Sequence, residues 1–248
     1  MAGETWTAIS MLERLGEPAW FRLGDGDLAL HVHRTRRVRE GVRLTEVNRG
    51  IQQALGVATP ILPMADERVR SRVRTPEGWL PFQTYFVRLR QAPDVLEVAF
   101  DGVATAHPTS EVEAAVAGAE AIVLCPSNPF VSIGPILAVP GMRGLLDAAR
   151  GRGVRVAAVS PFVGGRALKG PADRMARTLG AASSATGIAR LYAGLIDALL
   201  VDDVDAAEAP AIAALRIEPV VGPTIMGDDA SRASLAAAAV AAASRGAS

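Results

Sequence analysis

The sequence predicts an α/β fold, and three observations support this prediction. After residue 108, short apolar segments take turns with helical segments along the chain. The short apolar segments do not carry polar residues at every second position. Such strands are typical of a parallel sheet that is covered on both faces. Half of the 248 residues are apolar and 26 basic residues balance 26 acidic ones, so a sizeable core is expected. We therefore expect a Rossmann-like, doubly wound parallel sheet with an inserted helical lobe and a β-hairpin.

The first 56 residues are predicted to form a helical lobe. Apolar residues recur at helical spacing in three segments, 5–15, 25–41 and 46–55. Thr45 is the expected N-cap of the third helix, and Gly41 and Gly56 are the expected ends of the second and third.

A β-hairpin is predicted to follow the lobe. Residues 69–74 alternate apolar or small residues with arginine, and Pro76, Glu77 and Gly78 form a turn. The returning strand is expected over residues 79–89, and a third strand over 95–100. We place the domain boundary after residue 107: residues 1–107 form the lobe and hairpin region, and residues 108–248 form the core of one compact unit.

The core is predicted to alternate strands with helices. Strands are expected at residues 121–124, 154–159, 198–201 and 216–221. Helices are expected at residues 142–150, 172–179, 187–195 and 231–243.

Composition excludes several classes of protein. A net charge of zero argues against a general nucleic-acid or membrane-surface binder. Cys125 is the single cysteine, so an intrachain disulfide is impossible and a cytoplasmic location is expected. Basic residues cluster at 34–43 and 68–74, where they form either solvated faces or a rim that attracts an anionic substrate.

Two turns after predicted strands are the first candidate site. Ser127 and Asn128 follow one strand between two prolines, and Gly164 and Gly165 follow the next. Ligands of open α/β sheets bind at the carboxyl ends of the strands, so we expect the two turns to form one site. Lys169 and Gly170 precede a predicted helix start and complete what resembles a diphosphate cradle. The alternative is that both segments are ordinary turns.

Two carboxylates at the start of the second helix, Asp25 and Asp27, are the second candidate. They are either helix N-caps or ligands that orient a hydroxyl or hold magnesium. Cys125 has no basic partner in the sequence pattern and is expected to fill apolar space. The P-loop, dinucleotide and serine-hydrolase motifs are absent from the sequence.

These segments, in this order, resemble the 2-phospho-L-lactate transferase family (CofD) of deazaflavin coenzyme biosynthesis. The resemblance covers essentially the whole chain. The matching strings occupy residues 2–7, 21–25, 63–66, 82–83, 125–129, 132–137, 140–143 and 160–172.

The resemblance implies a transferase that moves a phospholactyl or phosphoenolpyruvyl group from a guanosine-diphosphate conjugate to the deazaflavin Fo and releases GMP. It further implies magnesium as a helper ion. We expect small-molecule substrates and a homodimer, and, from the charge balance, no nucleic acid or membrane partner. The nucleotide is expected to contact Ser127, Asn128, Gly164, Gly165, Lys169 and Gly170. Asp25 and Asp27 are the expected catalytic residues that face the deazaflavin.

Two departures from the family pattern leave alternatives. The family carries a strand and a Gly-rich loop ahead of the string that here begins at Ala2, and an arginine where Gly26 stands. The chain is therefore either an enzyme of this family or a truncated, non-catalytic nucleotide- or deazaflavin-binding homologue. An unrelated Rossmann-like enzyme, such as a nicotinamide enzyme, is the third possibility.

Overall fold

The first part of the chain forms the three expected helices. The structure is a computed structural model that describes residues 3–168 and 170–244. The helices are α1 (Thr7–Arg14), α2 (Asp25–Arg39) and α3 (Leu44–Ala54). Thr45 is not the N-cap of α3, because it lies inside the first turn, where its amide and hydroxyl both donate to Asp66 at 2.8 Å.

A three-stranded antiparallel sheet follows, with β1 (Arg70–Thr75) between β2 (Gly78–Pro81) and β3 (Glu97–Asp101). The prediction that the second strand continues to residue 89 is wrong. After Pro81 the chain forms a π-helical turn, Thr84–Arg88, with Tyr85 completely buried and the Phe86 ring stacked on that of Phe82. Aromatic residues four apart meet on one side of a helical turn, whereas in an extended strand they would lie about 13 Å apart.

The core contains a four-stranded parallel sheet in the order β4-β5-β8-β9, which confirms the α/β prediction. Its strands are β4 (Ala121–Leu124), β5 (Arg155–Val159), β8 (Ala198–Val201) and β9 (Glu218–Val221). A small hairpin of β6 (Phe162–Val163) and β7 (Arg166–Ala167) follows β5.

The helices around this sheet are α4 to α10. Their bounds are α4 (Ser110–Ala117), α5 (Gly134–Ala138), α6 (Met142–Gly151), α7 (Ala172–Thr178), α8 (Ala185–Leu191), α9 (Ala209–Ala213) and α10 (Asp229–Ser244). A second π-helical turn, Pro129–Ile133, precedes α5. Within the described residues, no single helix is both long and apolar enough to cross a membrane.

Helices cover both faces of the parallel sheet. Val156 and Leu199 point to one face, where they pack with residues of α6, α7, α8 and α9. Ala157 and Leu200 point to the opposite face, where α10 supplies Leu235 and three alanines. The alternation along each strand explains why the strands are apolar throughout, since both faces are buried.

A charged network joins the helical lobe to the core. The Arg43 guanidinium donates to Asp66 at 2.7 Å and to both oxygens of Glu111 in α4, at 3.0 and 3.3 Å. Arg49 of α3 also donates to Glu111, at 3.2 Å. Hydrogen bonds from Arg43 are the main cause that lowers the pKa of Glu111 to about 2. The contacts with Glu111 connect residues more than 60 positions apart.

Candidate functional site

A crevice of about 350 Å³ lies at the carboxyl ends of the parallel strands. The segments that follow β4, β5 and β9 all contribute to its wall, together with β7 and the start of α7. The structure therefore brings together the two turns that follow β4 and β5, as the position of ligand sites in α/β sheets predicts. The lining residues are Pro126, Asn128, Ser160, Pro161, Val163, Ala167, Leu168, Ala172, Thr224, Ile225 and Met226.

The turn after β4 carries two polar side chains. Among the described residues, one makes hydrogen bonds and the other makes none. Asn128 Oδ1 accepts hydrogen bonds from the amides of Phe130 and Val131, at 2.9 and 3.3 Å, so it caps the π-helical turn. In the described part of the chain, the Ser127 hydroxyl has no hydrogen-bond partner, and the residue is half-buried beside the crevice. Ser127 therefore has a hydroxyl available to a ligand.

The two glycines after β5 form the turn of the β6–β7 hairpin. Gly164 and Gly165 have φ values of 59° and 74°, the left-handed conformation that a two-residue type I′ turn requires at both positions. The Gly164 amide donates to both carboxylate oxygens of Asp205, at 2.9 and 3.1 Å. That amide is therefore already satisfied within the protein, and the glycines shape the hairpin at the crevice edge.

Sequence reasoning missed the residues that form the far wall of the crevice. Asp202, buried directly after β8, accepts hydrogen bonds from the amide and hydroxyl of Thr224 at 3.0 and 2.9 Å. Burial would raise the pKa of Asp202, but the bonds from Thr224 and Val204 outweigh it and hold the pKa below its usual value. This link fixes the loop after β9, which places Ile225 and Met226 against the crevice. The only available signal was an aspartate directly after an apolar strand.

Asp25 and Asp27 do not line the crevice. Asp25 caps α1 from a neighbouring helix, because it accepts hydrogen bonds from the Thr5 hydroxyl and the amides of Thr7 and Ala8 at 2.7 to 3.0 Å. The Thr5 bond is the main cause that lowers the pKa of Asp25. Asp27 lies in the first turn of α2 and makes no hydrogen bond to a described residue. Their catalytic assignment stays a prediction.

The segment before α7 was the remaining part of the predicted cradle. Lys169 lies outside the described residues. Gly170 has a φ of 77°, which glycine adopts more readily than other residues, and it lies near the Phe86 ring. Ala172, the first residue of α7, lines the crevice.

The described carboxylates do not form a magnesium site on their own. Within residues 3–168 and 170–244, no group of three acidic, histidine or cysteine side chains is placed to hold a metal ion. The carboxylates of Asp25, Asp202 and Asp205 accept hydrogen bonds from the protein itself. Magnesium is commonly held by one or two carboxylates plus substrate phosphates, so such an ion would depend on the substrate for ligands.

Comparison with known families identifies the scaffold that carries this crevice. The model of the family described as 2-phospho-L-lactate transferase CofD matches residues 7–220. The chain belongs to this family. It is therefore a member of a transferase family, as the motifs around the crevice predicted.

Relatives with two different named activities are similarly close to this CofD chain. It is 35% identical to a phosphoenolpyruvate transferase of Mycobacterium avium, an alignment that covers 95% of the chain and 71% of that relative. It is 36% identical to a phosphoenolpyruvate transferase of Kitasatospora aureofaciens, over 97% of the chain and 76% of the relative. It is 35% identical to a 2-phospho-L-lactate transferase of Methanosarcina mazei, over 83% of the chain and 66% of the relative.

A solved structure supports the fold. Protein BH3568 from Bacillus halodurans superposes with a TM-score of 0.59 at 14% identity, covering 88% of this chain and 72% of that protein. At this identity the likeness concerns the fold alone.

Proposed function

We propose that the chain transfers a phospholactyl or phosphoenolpyruvyl group from a guanosine-diphosphate conjugate to the deazaflavin Fo in coenzyme F-420 biosynthesis. In this reaction an Fo hydroxyl oxygen attacks the phosphorus that bears the lactyl or enolpyruvyl group. The bond from that phosphorus to the GMP oxygen breaks, GMP leaves, and the hydroxyl proton is released. Family membership supports the reaction type, and relatives of both donor types are equally similar.

The observation that carries the proposal for this chain is the crevice at the ends of β4, β5 and β9. Its apolar wall, which includes Val163, Ile225 and Met226, suits the flat face of a nucleobase. Asn128 and the neighbouring Ser127 lie at its edge, where the proposal places the diphosphate. In this arrangement the protein acts by positioning the donor phosphorus for in-line attack.

Turnover is the direct test of the proposed reaction. The purified chain is incubated with Fo, magnesium and either donor, and GMP release is followed by chromatography. We expect GMP with at least one donor, and the faster donor shows whether the phospholactyl or the phosphoenolpyruvyl group is transferred. Absence of GMP from a folded protein overturns the proposal. Absence of GMP together with GDP or Fo binding by calorimetry assigns the chain to the non-catalytic alternative.

Ser127→Ala tests the placement of the donor. Because the Ser127 hydroxyl has no described partner, the substitution removes a ligand contact without breaking a bond within the described protein. We expect kcat/KM to fall about ten-fold with an unchanged melting temperature. Ser132→Ala, an exposed serine in the following turn, is the matched control. Equal activity of both variants and wild type would exclude Ser127 from the site.

A further inference from the structure

A second recess of about 810 Å³ lies where the antiparallel sheet meets the π-helical turn after β4. We call it the arginine notch, and its lining includes Arg70, Arg72, Phe82, Gln83, Asp101 and Val131. The register of β1 explains the recess: β2 pairs with residues 72–75, so Arg70 and Ser71 extend past its end and the chain turns away at Pro81. Its volume is within the range of small-molecule sites.

The notch has more positive than negative charge. Arg70, Arg72 and Arg74 share the outward face of β1, since Val73 and Thr75 are buried on the other face. Arg74 is paired with Glu97 at 2.9 Å, and Arg72 contacts Asp101 at 3.4 Å.

Arg70 differs from these two residues. Its guanidinium makes no ion pair or hydrogen bond to any residue that the structure describes. The notch therefore contains one guanidinium group without a described partner and one with a long ion pair. A guanidinium group can donate two parallel hydrogen bonds to two oxygens of a phosphate or carboxylate.

The notch has one aromatic ring in its lining, that of Phe82, and Trp79 contacts one of its arginines. The Arg72 guanidinium lies 5.3 Å from the centre of the Trp79 ring, which orders it. Phe82 is half-buried, and its ring stacks on Phe86 with the centres 5.4 Å apart and the planes inclined by 22°. A flat ring bound in the notch can stack on Phe82 while an acidic group reaches the arginines.

The notch adjoins the crevice but is a separate space. The two cavities have no lining residue in common. They meet at the turn after β4, where Asn128 of the crevice accepts a hydrogen bond from the amide of Val131 of the notch.

We propose that the arginine notch binds a small molecule that combines a flat aromatic ring with a phosphate or carboxylate group. This site goes beyond the proposed transfer reaction and does not rest on it. The bound molecule is either part of a substrate or a separate effector, and both have the same chemistry. Arg70 supplies the main charge, and Phe82 supplies the stacking surface.

Flavin mononucleotide and riboflavin are suitable probes, because they share one ring system and differ by a phosphate. Titrations followed by flavin fluorescence anisotropy give both affinities for the wild-type chain. We expect flavin mononucleotide to bind at least ten-fold tighter, with the difference shrinking in 0.5 M salt. Equal affinities for the two probes overturn the proposal.

Matched variants locate the probe. Arg70→Gln should weaken flavin mononucleotide about ten-fold and leave riboflavin unchanged. Arg74→Gln removes the same charge four positions along the same face of β1, outside the notch, and should leave both affinities unchanged. Met226→Glu places a negative charge in the crevice and should also have no effect. Loss of binding in Met226→Glu with retention in Arg70→Gln would place the probe in the crevice, contrary to the proposal.

Competition experiments then show whether the natural ligand of the notch is part of a substrate or a separate effector. Displacement of flavin mononucleotide by Fo or by the guanosine conjugate assigns the notch to a substrate. Retention of the probe at saturating amounts of both assigns it to a separate effector. Neither result depends on GMP release, so failure of the transfer reaction and failure of the notch proposal are distinguishable.

Discussion

All four residues of β8 are buried, whereas none of the fifteen residues of α2 is. The core from α4 onward is held by apolar packing on both faces of its sheet. The region before it exposes large apolar side chains, including Leu15 and Val32, and is fastened to the core by Arg43 and its carboxylate partners. The two regions thus differ in what stabilises them, and the same substitution should have different effects in each.

The largest difference is expected for removal of a leucine side chain. Leu199 is completely buried in β8, so Leu199→Ala should lower the free energy of unfolding by about 3–5 kcal/mol, because it creates a core cavity. Leu15 is 71% exposed, and Leu15→Ala should cost less than about 0.5 kcal/mol. Urea denaturation measures both. Similar costs would show that the helical lobe is packed as tightly as the core.

A smaller effect is expected for the link behind the crevice. Asp202→Ala leaves the amide and hydroxyl of Thr224 without their partner and should cost about 2–3 kcal/mol. It should also weaken GDP binding, since the loop that carries Met226 loses its anchor. Asp203→Ala changes the exposed neighbour and serves as the control in denaturation and calorimetry. A stable Asp202→Ala protein with unchanged GDP affinity would contradict this role.

The smallest effect is expected for the ion pairs that join the helical lobe to the core, whose contribution to stability depends on pH. The pKa of Glu111 is about 2 in the folded chain against an ordinary value of 4.5, so its pairing stabilises the fold above pH 4.5. That contribution is lost as the pH falls from 4.5 towards 2. Glu111→Gln should therefore reduce the loss of stability between pH 6 and pH 3.

The three tryptophans, Trp6, Trp20 and Trp79, all precede the core, so their fluorescence in urea reports on the fastened region. Glu113→Gln, on the same helix but exposed, should retain the wild-type pH dependence. If Glu111→Gln also retains it, the network does not fasten the lobe.

Sequence patterns predicted most of the fold because burial on both faces leaves a clear apolar signal. All four parallel strands were expected within two residues of their observed starts, and the helical lobe was expected correctly. The turn at Thr84–Arg88 was missed, since aromatic residues in a short segment are common in strands and in buried helical turns alike. The boundary after residue 107 stays a prediction.

Only the part of the site that comes directly after β4 and β5 in the sequence could be predicted. Asn128 and Ser160 could be placed in one crevice because the carboxyl ends of parallel strands share an edge. The contribution of Thr224 and Met226 depends on a hydrogen bond to Asp202 from 22 residues away, which no local pattern indicates. The capping role of Asp25 towards α1 is a similar long-range contact.

The connections between paired strands also determine how fast each sheet can form. β1 and β2 are joined by two residues, and a hairpin of this kind closes within about 1–10 μs. Neighbouring strands of the parallel sheet are separated along the chain by whole helices, so their pairing must wait for long loops to close. During synthesis and refolding, the β1–β2 hairpin can therefore form transiently long before the crevice exists. The parallel sheet sets the rate at which ligand binding is acquired.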